Sequence, residues 1–213
     1  MLTVNMLSVR LVIDNVGKTY GSRRVLDQIV AELVTGDVLL VTGPNGIGKS
    51  TLLRLIAGLQ RPSVGSITYH VGDKIVEPYA AQPLLGFVGA DIQLYRELTA
   101  REHVAFVAAV RGLRSDVDMQ QHVLDQVGLG ARANELVLRF SSGMLQRLRY
   151  ALALLHQPPV LLLDEPTTNL DVAGIALVDR IVAEQRQRGI TVIATNDQRE
   201  HRYGDLLLTL GQV

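Results

Sequence analysis

Lys49 sits in the run Gly43-Pro44-Asn45-Gly46-Ile47-Gly48-Lys49-Ser50-Thr51, a complete GxxxxGK[ST] pattern. Glycines at these places let backbone N–H groups converge on anionic oxygens, and a helix opening at the end of the loop adds a partial positive charge. In such a loop Lys49 reaches the β- and γ-phosphates of a nucleotide, and the Ser50 hydroxyl ligates Mg²⁺. A second group of reactive side chains closes the run Leu161-Leu162-Leu163-Asp164-Glu165-Pro166. Apolar residues ending in two carboxylates describe a buried strand that empties into a site at its C-terminal end. Adjacent strand residues point to opposite faces, so the two acids need not share a role. Asp164 suits the Mg²⁺ shell, and Glu165 suits polarising an attacking water. The two runs together imply a bound nucleoside triphosphate.

These residues need strands to carry them and helices to cover the strands. Val38-Leu39-Leu40-Val41 reads as the strand entering the loop, and Lys49-Ser50-Thr51-Leu52-Leu53-Arg54-Leu55 as the helix leaving it, ending near Ala57-Gly58. Residues 8–41 show short strand patterns punctuated by turn signals at Gly17, Tyr20-Gly21-Ser22 and Thr35-Gly36-Asp37. A hairpin is expected over 65–76 and a buried strand over 84–88. From 94 to 156 the pattern turns helical. Thr99 with Glu102 forms a capping box for a helix through Val110. Asp116 opens another that Gly128 or Gly130 ends, and Ser141 caps a third through Leu155. After Pro158-Pro159 come a strand at 160–163, a helix to Arg188, a strand at 190–194 and a closing strand at 206–210. The pattern predicts one α/β domain over 1–213, with a core at 1–90 and 157–213 interrupted by a helical insertion at 91–156.

Composition narrows the setting. The 47% hydrophobic fraction is ample for a core, but aromatics are only 4%, so Leu, Val, Ile and Ala must build it. Lys+Arg and Asp+Glu are both 21, which removes the basic surplus expected of a nucleic-acid binder, and no nucleic-acid partner is expected. The chain has no cysteine, so disulfides and thiolate metal sites are excluded and a reducing cytoplasm is the expected compartment. No apolar run approaches the ~18 residues of a membrane span, so any membrane role is expected to come through a partner. His70, His103, His122 and His156 lack metal-ligand spacing and read as surface or edge residues.

Between the phosphate loop and Asp164 lies Phe140-Ser141-Ser142-Gly143-Met144-Leu145-Gln146-Arg147. With this run in place, nearly the whole chain resembles the nucleotide-binding subunit of an ATP-binding-cassette (ABC) transporter, whose signature is LSGGQ. The residues agree on their own terms, because Ser141 and Gly143 leave backbone donors free at a helix N-terminus, an anion site by geometry. The resemblance implies a P-loop NTPase core, a mixed sheet with an N-terminal antiparallel β subdomain, plus a helical subdomain. It implies ATP and Mg²⁺ as ligands, ATP hydrolysis, and a homodimer in which Ser141, Ser142, Gly143 and Met144 meet the γ-phosphate held by the opposite subunit. It places Tyr20 against adenine and makes Thr168-Asn169-Leu170-Asp171 the D-loop, although Asp171 could equally be a helix N-cap. It implies a separate integral membrane subunit, holding this chain at the inner face of the cell membrane.

Two positions depart from the family pattern. The usual Gln after the strand leading into the helical insertion aligns with Asp91, which offers oxygen to Mg²⁺ or water but cannot donate when ionised. The usual His after the penultimate strand is replaced by Asn196, which can donate an amide N–H to a γ-phosphate oxygen but carries no charge. His201, five residues on, is a poor substitute. Arg147 and Arg149 are expected to stay at the surface or pair locally. Within the family, the short chain, the Ser-Ser-Gly-Met run and Glu97-Leu98-Thr99-Ala100 most resemble the haem-exporter ATPase of cytochrome c maturation and related ABC-2-type exporters. The alternatives are a catalytically weak, ATP-dependent dimerisation module and a non-transport ABC ATPase.

Overall fold

The computed structural model describes residues 8–89 and 92–211. Asp91 lies outside the described residues. The chain opens with two long strands, β1 (Val9–Tyr20) and β2 (Arg23–Val34), joined at Gly21-Ser22. Next come β3 (Val38–Thr42), α1 (Lys49–Ile56), β4 (Val64–Val71), β5 (Lys74–Val76), the single turn α2 (Pro78–Ala81) and β6 (Leu85–Val88). Three helices follow: α3 (Ala100–Val110), α4 (Val117–Gln126) and α5 (Ser142–Leu154). The chain closes with β7 (Val160–Asp164), α6 (Val172–Arg186), β8 (Ile190–Thr195) and β9 (Leu206–Thr209).

The strands form two sheets. A four-stranded antiparallel sheet runs β2-β1-β4-β5, and a five-stranded sheet runs β6-β7-β8-β3-β9. Every pairing in the second sheet is parallel. Among the described strands the antiparallel pairings lie in the first sheet. Sequence pattern accounts for the difference. In β1 the buried positions Val9, Leu11 and Ile13 alternate with more exposed ones, as a sheet covered on one face requires. By contrast β3 and β8 are buried throughout, and β7 is buried up to Asp164, as a parallel sheet covered on both faces requires.

Gly17 is not a turn. It lies inside β1 at a break in register between Asp14 and Gly17, where a Cβ would come within 2.7 Å of Val64 Cγ2. The glycine thus marks a bulge and a close approach, which share their sequence signal with a turn. The helix boundaries follow their caps. Thr99 and Glu102 form the reciprocal capping box, Asp116 caps α4, and Ser141 caps α5. Gly128, at φ 72°, follows the end of α4, while Gly130 opens a short 3₁₀ turn.

Two apolar clusters hold the elements. One joins the antiparallel sheet to α1 and to one face of the parallel sheet through Leu11, Leu33, Leu53, Ile56 and Val192. The other joins the opposite face to α3–α6 through Val104, Leu124, Leu148, Leu161 and Val178. The strand ends that carry Thr42, Asp164 and Thr195 are thereby fixed from both sides. Two histidines expected at the surface or an edge are drawn inward, one of them fully. His103 is 2% exposed, its Nδ1 pairing with Thr99 O at 2.9 Å and its Nε2 accepting from Tyr95 N at 3.0 Å, the pattern of a neutral ring. His156 is half-buried, with both ring nitrogens shielded from solvent.

Candidate active site

The phosphate loop begins where β3 ends. Gly43 adopts φ 142°, and a Cβ there would meet Leu210 O at 2.8 Å, so backbone passes where no side chain fits. Gly48, at φ 122°, is the N-cap of α1, which opens with no side-chain cap and no acidic residue in its first turn. Its first N–H groups are left for an anion. Lys49 is 6% exposed, and its ammonium donates to Gly43 O (2.8 Å) and Pro44 O (3.3 Å). The loop thus carries its own buried cation.

Tyr20, Arg23, Asn45, Lys49, Ser50 and Glu165 line one cavity of about 600 Å³. Three segments far apart in sequence meet there: the β1–β2 turn, the loop and the end of β7. The Tyr20 hydroxyl donates to Gln60 Oε1, and the Lys18 ammonium lies 5.1 Å from the ring centroid. One ring face thereby has a cation and the hydroxyl is anchored, which fixes the plane of the ring. Arg23 lines the same cavity and donates to Gly46 O at 3.4 Å.

Asp164 ends β7 opposite Ala194 of β8. Glu165 has φ 52°, a left-handed conformation that non-glycine residues adopt mainly where surroundings enforce it, and its N–H donates to Ala194 O at 2.8 Å. The turn swings its carboxyl out of the strand direction and into the cavity. Burial raises its proton affinity above the ordinary carboxylate value, the Lys49 ammonium opposes this, and Glu200 and Asp164 add to it. Asn196, directly after β8, donates its amide to Asn45 Oδ1 at 2.8 Å. The position where the family usually has a His therefore touches the phosphate loop.

The signature run builds a different place. Ser141 Oγ accepts from Met144 N at 3.3 Å, and α5 has no acidic residue in its first turn. Ser141, Gly143, Met144, Arg147, Asn169 and Asp171 line a hollow of about 330 Å³ that shares no lining residue with the phosphate-loop cavity. Asp171 is the N-cap of α6, accepting from Gly174 N at 2.8 Å, and it also accepts from Arg147 at 2.6 Å. The two donors hold its carboxyl below the usual range. Arg147 is thus no surface residue: its side chain is 18% exposed and paired with the next helix. Arg149 is likewise drawn inward and donates to Ile92 O at 3.0 Å. Gly143 lets α5 approach the chain before α6, since a Cβ would stand 2.9 Å from Asn169 O.

Sequence reasoning missed Glu200, which is buried behind Glu165, and the bond between Asn45 and Asn196. Neither leaves a spacing or periodicity signal, because each depends on two segments meeting in space.

The fold and the loop geometry define a P-loop ATPase domain. The sequence model of the ABC transporter family matches residues 26–168. The chain belongs to that family. It is 35% identical over 191 residues to the linearmycin resistance ATP-binding protein LnrL of Bacillus subtilis, covering 88% of this chain and 61% of LnrL. To the daunorubicin resistance ATP-binding protein DrrA3 of Streptomyces coeruleorubidus it is 34% identical, covering 92% of this chain and 62% of that protein. To the lantibiotic transport ATP-binding protein SrtF of Streptococcus pyogenes it is 32% identical, covering 87% and 79%. The chain thus spans about three-fifths of the length of the first two. A solved ATP-binding subunit of an ABC transporter superposes with a TM-score of 0.81 at 26% identity, over 94% of this chain and 85% of that one. A Pyrococcus furiosus ATP-binding protein gives the same TM-score at 24% identity, over 94% and 97%.

Proposed function

We propose that this chain is the ATP-binding and ATP-hydrolysing subunit of an ABC transporter that drives export through a separate membrane subunit. The observation that carries this is the single cavity shared by Lys49, Ser50, Glu165 and Tyr20, with Asn196 bonded to the loop beside it. Loop amides and Lys49 bind the phosphates, and the Tyr20 ring stacks on adenine. Glu165, with its raised proton affinity, orients the attacking water and takes its proton.

The residues fit Mg²⁺. Among the described residues no three His, Asp or Glu side chains gather to hold a metal alone, and Ser50 and Asp164 would hold the ion together with the bound nucleotide. Asp91 would add a further oxygen. When bound, the ion neutralises charge on the β- and γ-phosphates. The test is phosphate release by the chain with its membrane partner, which Glu165→Gln should reduce at least ~100-fold while ATP still binds.

The signature hollow supports a homodimer with two ATP sites, each closed by Ser141–Met144 of the opposite copy. It has helix-end donors, and both of its arginines are already paired, Arg147 with Asp171 and Arg132 with Glu135. We read 1–213 as one ABC ATPase domain, with 91–156 as its helical subdomain. Among the described residues no helix is long and apolar enough to cross a membrane, which suits attachment through a partner at the inner face. An apolar hollow of about 430 Å³ lined by Leu59, Phe87, Leu94, Tyr95 and Phe106 offers that partner a seat.

The relatives' names favour an antibiotic or lantibiotic cargo. Of the features behind the finer haem-exporter reading, Ser141–Met144 and Glu97–Ala100 are the sequence runs. Stimulation of ATPase by linearmycin or by haem, measured with the co-purified membrane subunit, decides between them. The second reading, a catalytically weak dimerisation module, is favoured by the uncharged Asn196, and turnover at the Glu165→Gln level in the wild type would select it.

A further inference from the structure

The turn that follows the two site carboxylates is held at three points by three elements. Glu165 N donates to Ala194 O in β8 at 2.8 Å. The Tyr150 hydroxyl, fully buried in α5, donates to Pro166 O at 3.0 Å. Thr167 gives both its N–H and its hydroxyl to Oε1 of Glu200, the backbone bond measuring 3.0 Å. Glu200 is 2% exposed and lies in the 3₁₀ turn Gln198–Tyr203, four residues after Asn196. Its own N–H donates to Asp197 O at 3.0 Å, so the carboxyl is braced against the end of β8.

Thr167 is a branch point. Thr168 N reaches back to Glu165 O at 3.2 Å, and Leu170 N reaches back to Thr167 O at 3.2 Å, one residue before Asp171. A carboxyl clamped on Thr167 therefore sets two things together: the left-handed turn that aims Glu165, and the path of the chain to the signature hollow. The other oxygen, Oε2, is buried with no hydrogen-bond partner among the described residues. A glutamine would keep the Oε1 acceptor for Thr167, so the tie depends on an acceptor at this place and not on its charge.

We propose that Glu200 is a positioning residue for hydrolysis, a clamp that fixes Glu165 and the Thr167–Asp171 turn to the Asn196 end of β8. It lines neither cavity and acts through Thr167. The proposal rests on the ATPase reading, and its test separates the two.

The full chain is compared with Glu200→Ala, Glu200→Gln, Thr167→Val and Glu200→Ala/Thr167→Val. Each is read for ATPase kcat and KM, melting temperature, and amide exchange. Glu200→Ala and Thr167→Val should each lower kcat about 5–10-fold with KM for ATP within about twofold, and the double variant should be no slower than the worse single one. Glu200→Gln keeps an acceptor for Thr167 and should recover most of the rate. Exchange in Glu200→Ala should quicken at 165–170 and 196–200 and stay unchanged in β1 and β2. Multiplying losses in the double variant, equal losses in kcat/KM through KM alone, or failure of Gln to rescue would overturn the clamp. So would wild-type turnover in Glu200→Ala. A wild type that binds ATP without hydrolysing it, with the exchange pattern as expected, would overturn the ATPase reading and leave Glu200 a clamp without a catalytic role, which also refutes the positioning claim.

Discussion

Two helix N-termini in this molecule, those of α1 and α5, meet the same physical problem and solve it differently. Both leave backbone donors at their first turn, and neither has an acidic residue there. At α1 the cap is Gly48, the donors stay unclaimed by any side chain, and Lys49 supplies a buried cation. At α5 the cap is Ser141, whose hydroxyl already takes Met144 N, and the nearby Arg147 is matched by Asp171. One end brings charge, glycine-shaped space and a cavity of about 600 Å³; the other brings helix-end donors without a free charge and a hollow of about 330 Å³. The first can hold a polyanion alone. The second, in the dimer we propose, would complete a site that another copy has begun.

The sharpest way to break this comparison is Lys49→Ala. Removing the one cation that the loop itself carries should weaken ATP at least ~100-fold, about 3 kcal/mol, in isothermal titration with a non-hydrolysable analogue. Arg147→Ala should change the same affinity less than about twofold, since its charge already serves Asp171. Equal losses in the two variants would mean that both helix ends bind nucleotide within one chain.

The next largest effect concerns association. With Glu165→Gln to slow turnover, ATP and Mg²⁺ should convert monomer to dimer in light scattering. Adding Ser141→Arg puts bulk and charge at the mouth of the signature hollow and should weaken that dimer by about tenfold or more, at least ~1.4 kcal/mol. A dimer unaffected by Ser141→Arg would locate the interface elsewhere.

How far these two ends were legible in the sequence follows from the same contrast. The α1 end is encoded locally: glycines, lysine and serine lie within nine consecutive residues, and their types dictate the geometry. The caps at Thr99, Asp116 and Ser141 were legible for the same reason, since each acts on a neighbour three residues away. The α5 end is encoded at a distance. Arg147 looks like a surface residue until α6 places Asp171 beside it, and His103 looks exposed until the turn at Tyr95 folds over its ring. Gly17 misled because a bulge and a turn ask for the same residue. Glu200 gave no signal at all, because its partner Thr167 is 33 residues upstream.

A smaller effect sharpens the role of the residue that touches the loop from β8. The Asn196 amide donates to Asn45 Oδ1, so it stands at the edge of the phosphate site without contributing charge. Asn196→Ala should slow hydrolysis about tenfold, roughly 1.4 kcal/mol at the transition state, and leave ADP affinity unchanged because ADP lacks the γ-phosphate that we propose it meets. Asn196→His should keep or raise turnover. Wild-type hydrolysis in Asn196→Ala, measured with the membrane partner, would make Asn196 a strand-end brace for Asn45 only.

The smallest effect tests whether the signature helix is anchored at its far end as firmly as at its cap. His156 follows α5, with burial and the neighbouring Arg111 guanidinium lowering its pKa from 6.5 to about 4. Arg111 is itself fixed, donating to Leu85 O at 3.1 Å. Between those two values the unfolded chain binds more protons than the folded one, so stability must rise with pH across that window. The contribution is complete above pH 6.5 and is lost as pH falls towards 4. For a ring that is only partly enclosed the change should be on the order of 1 kcal/mol after solvent screening. His156→Gln removes the titrating ring, so the difference in unfolding free energy between wild type and variant should vary with pH only between 6.5 and 4. Urea unfolding at pH 7.5, 6 and 5 measures it. A difference that stays constant across the three would place the imidazole in contact with water in the folded protein, and the far end of α5 would then be looser than its cap.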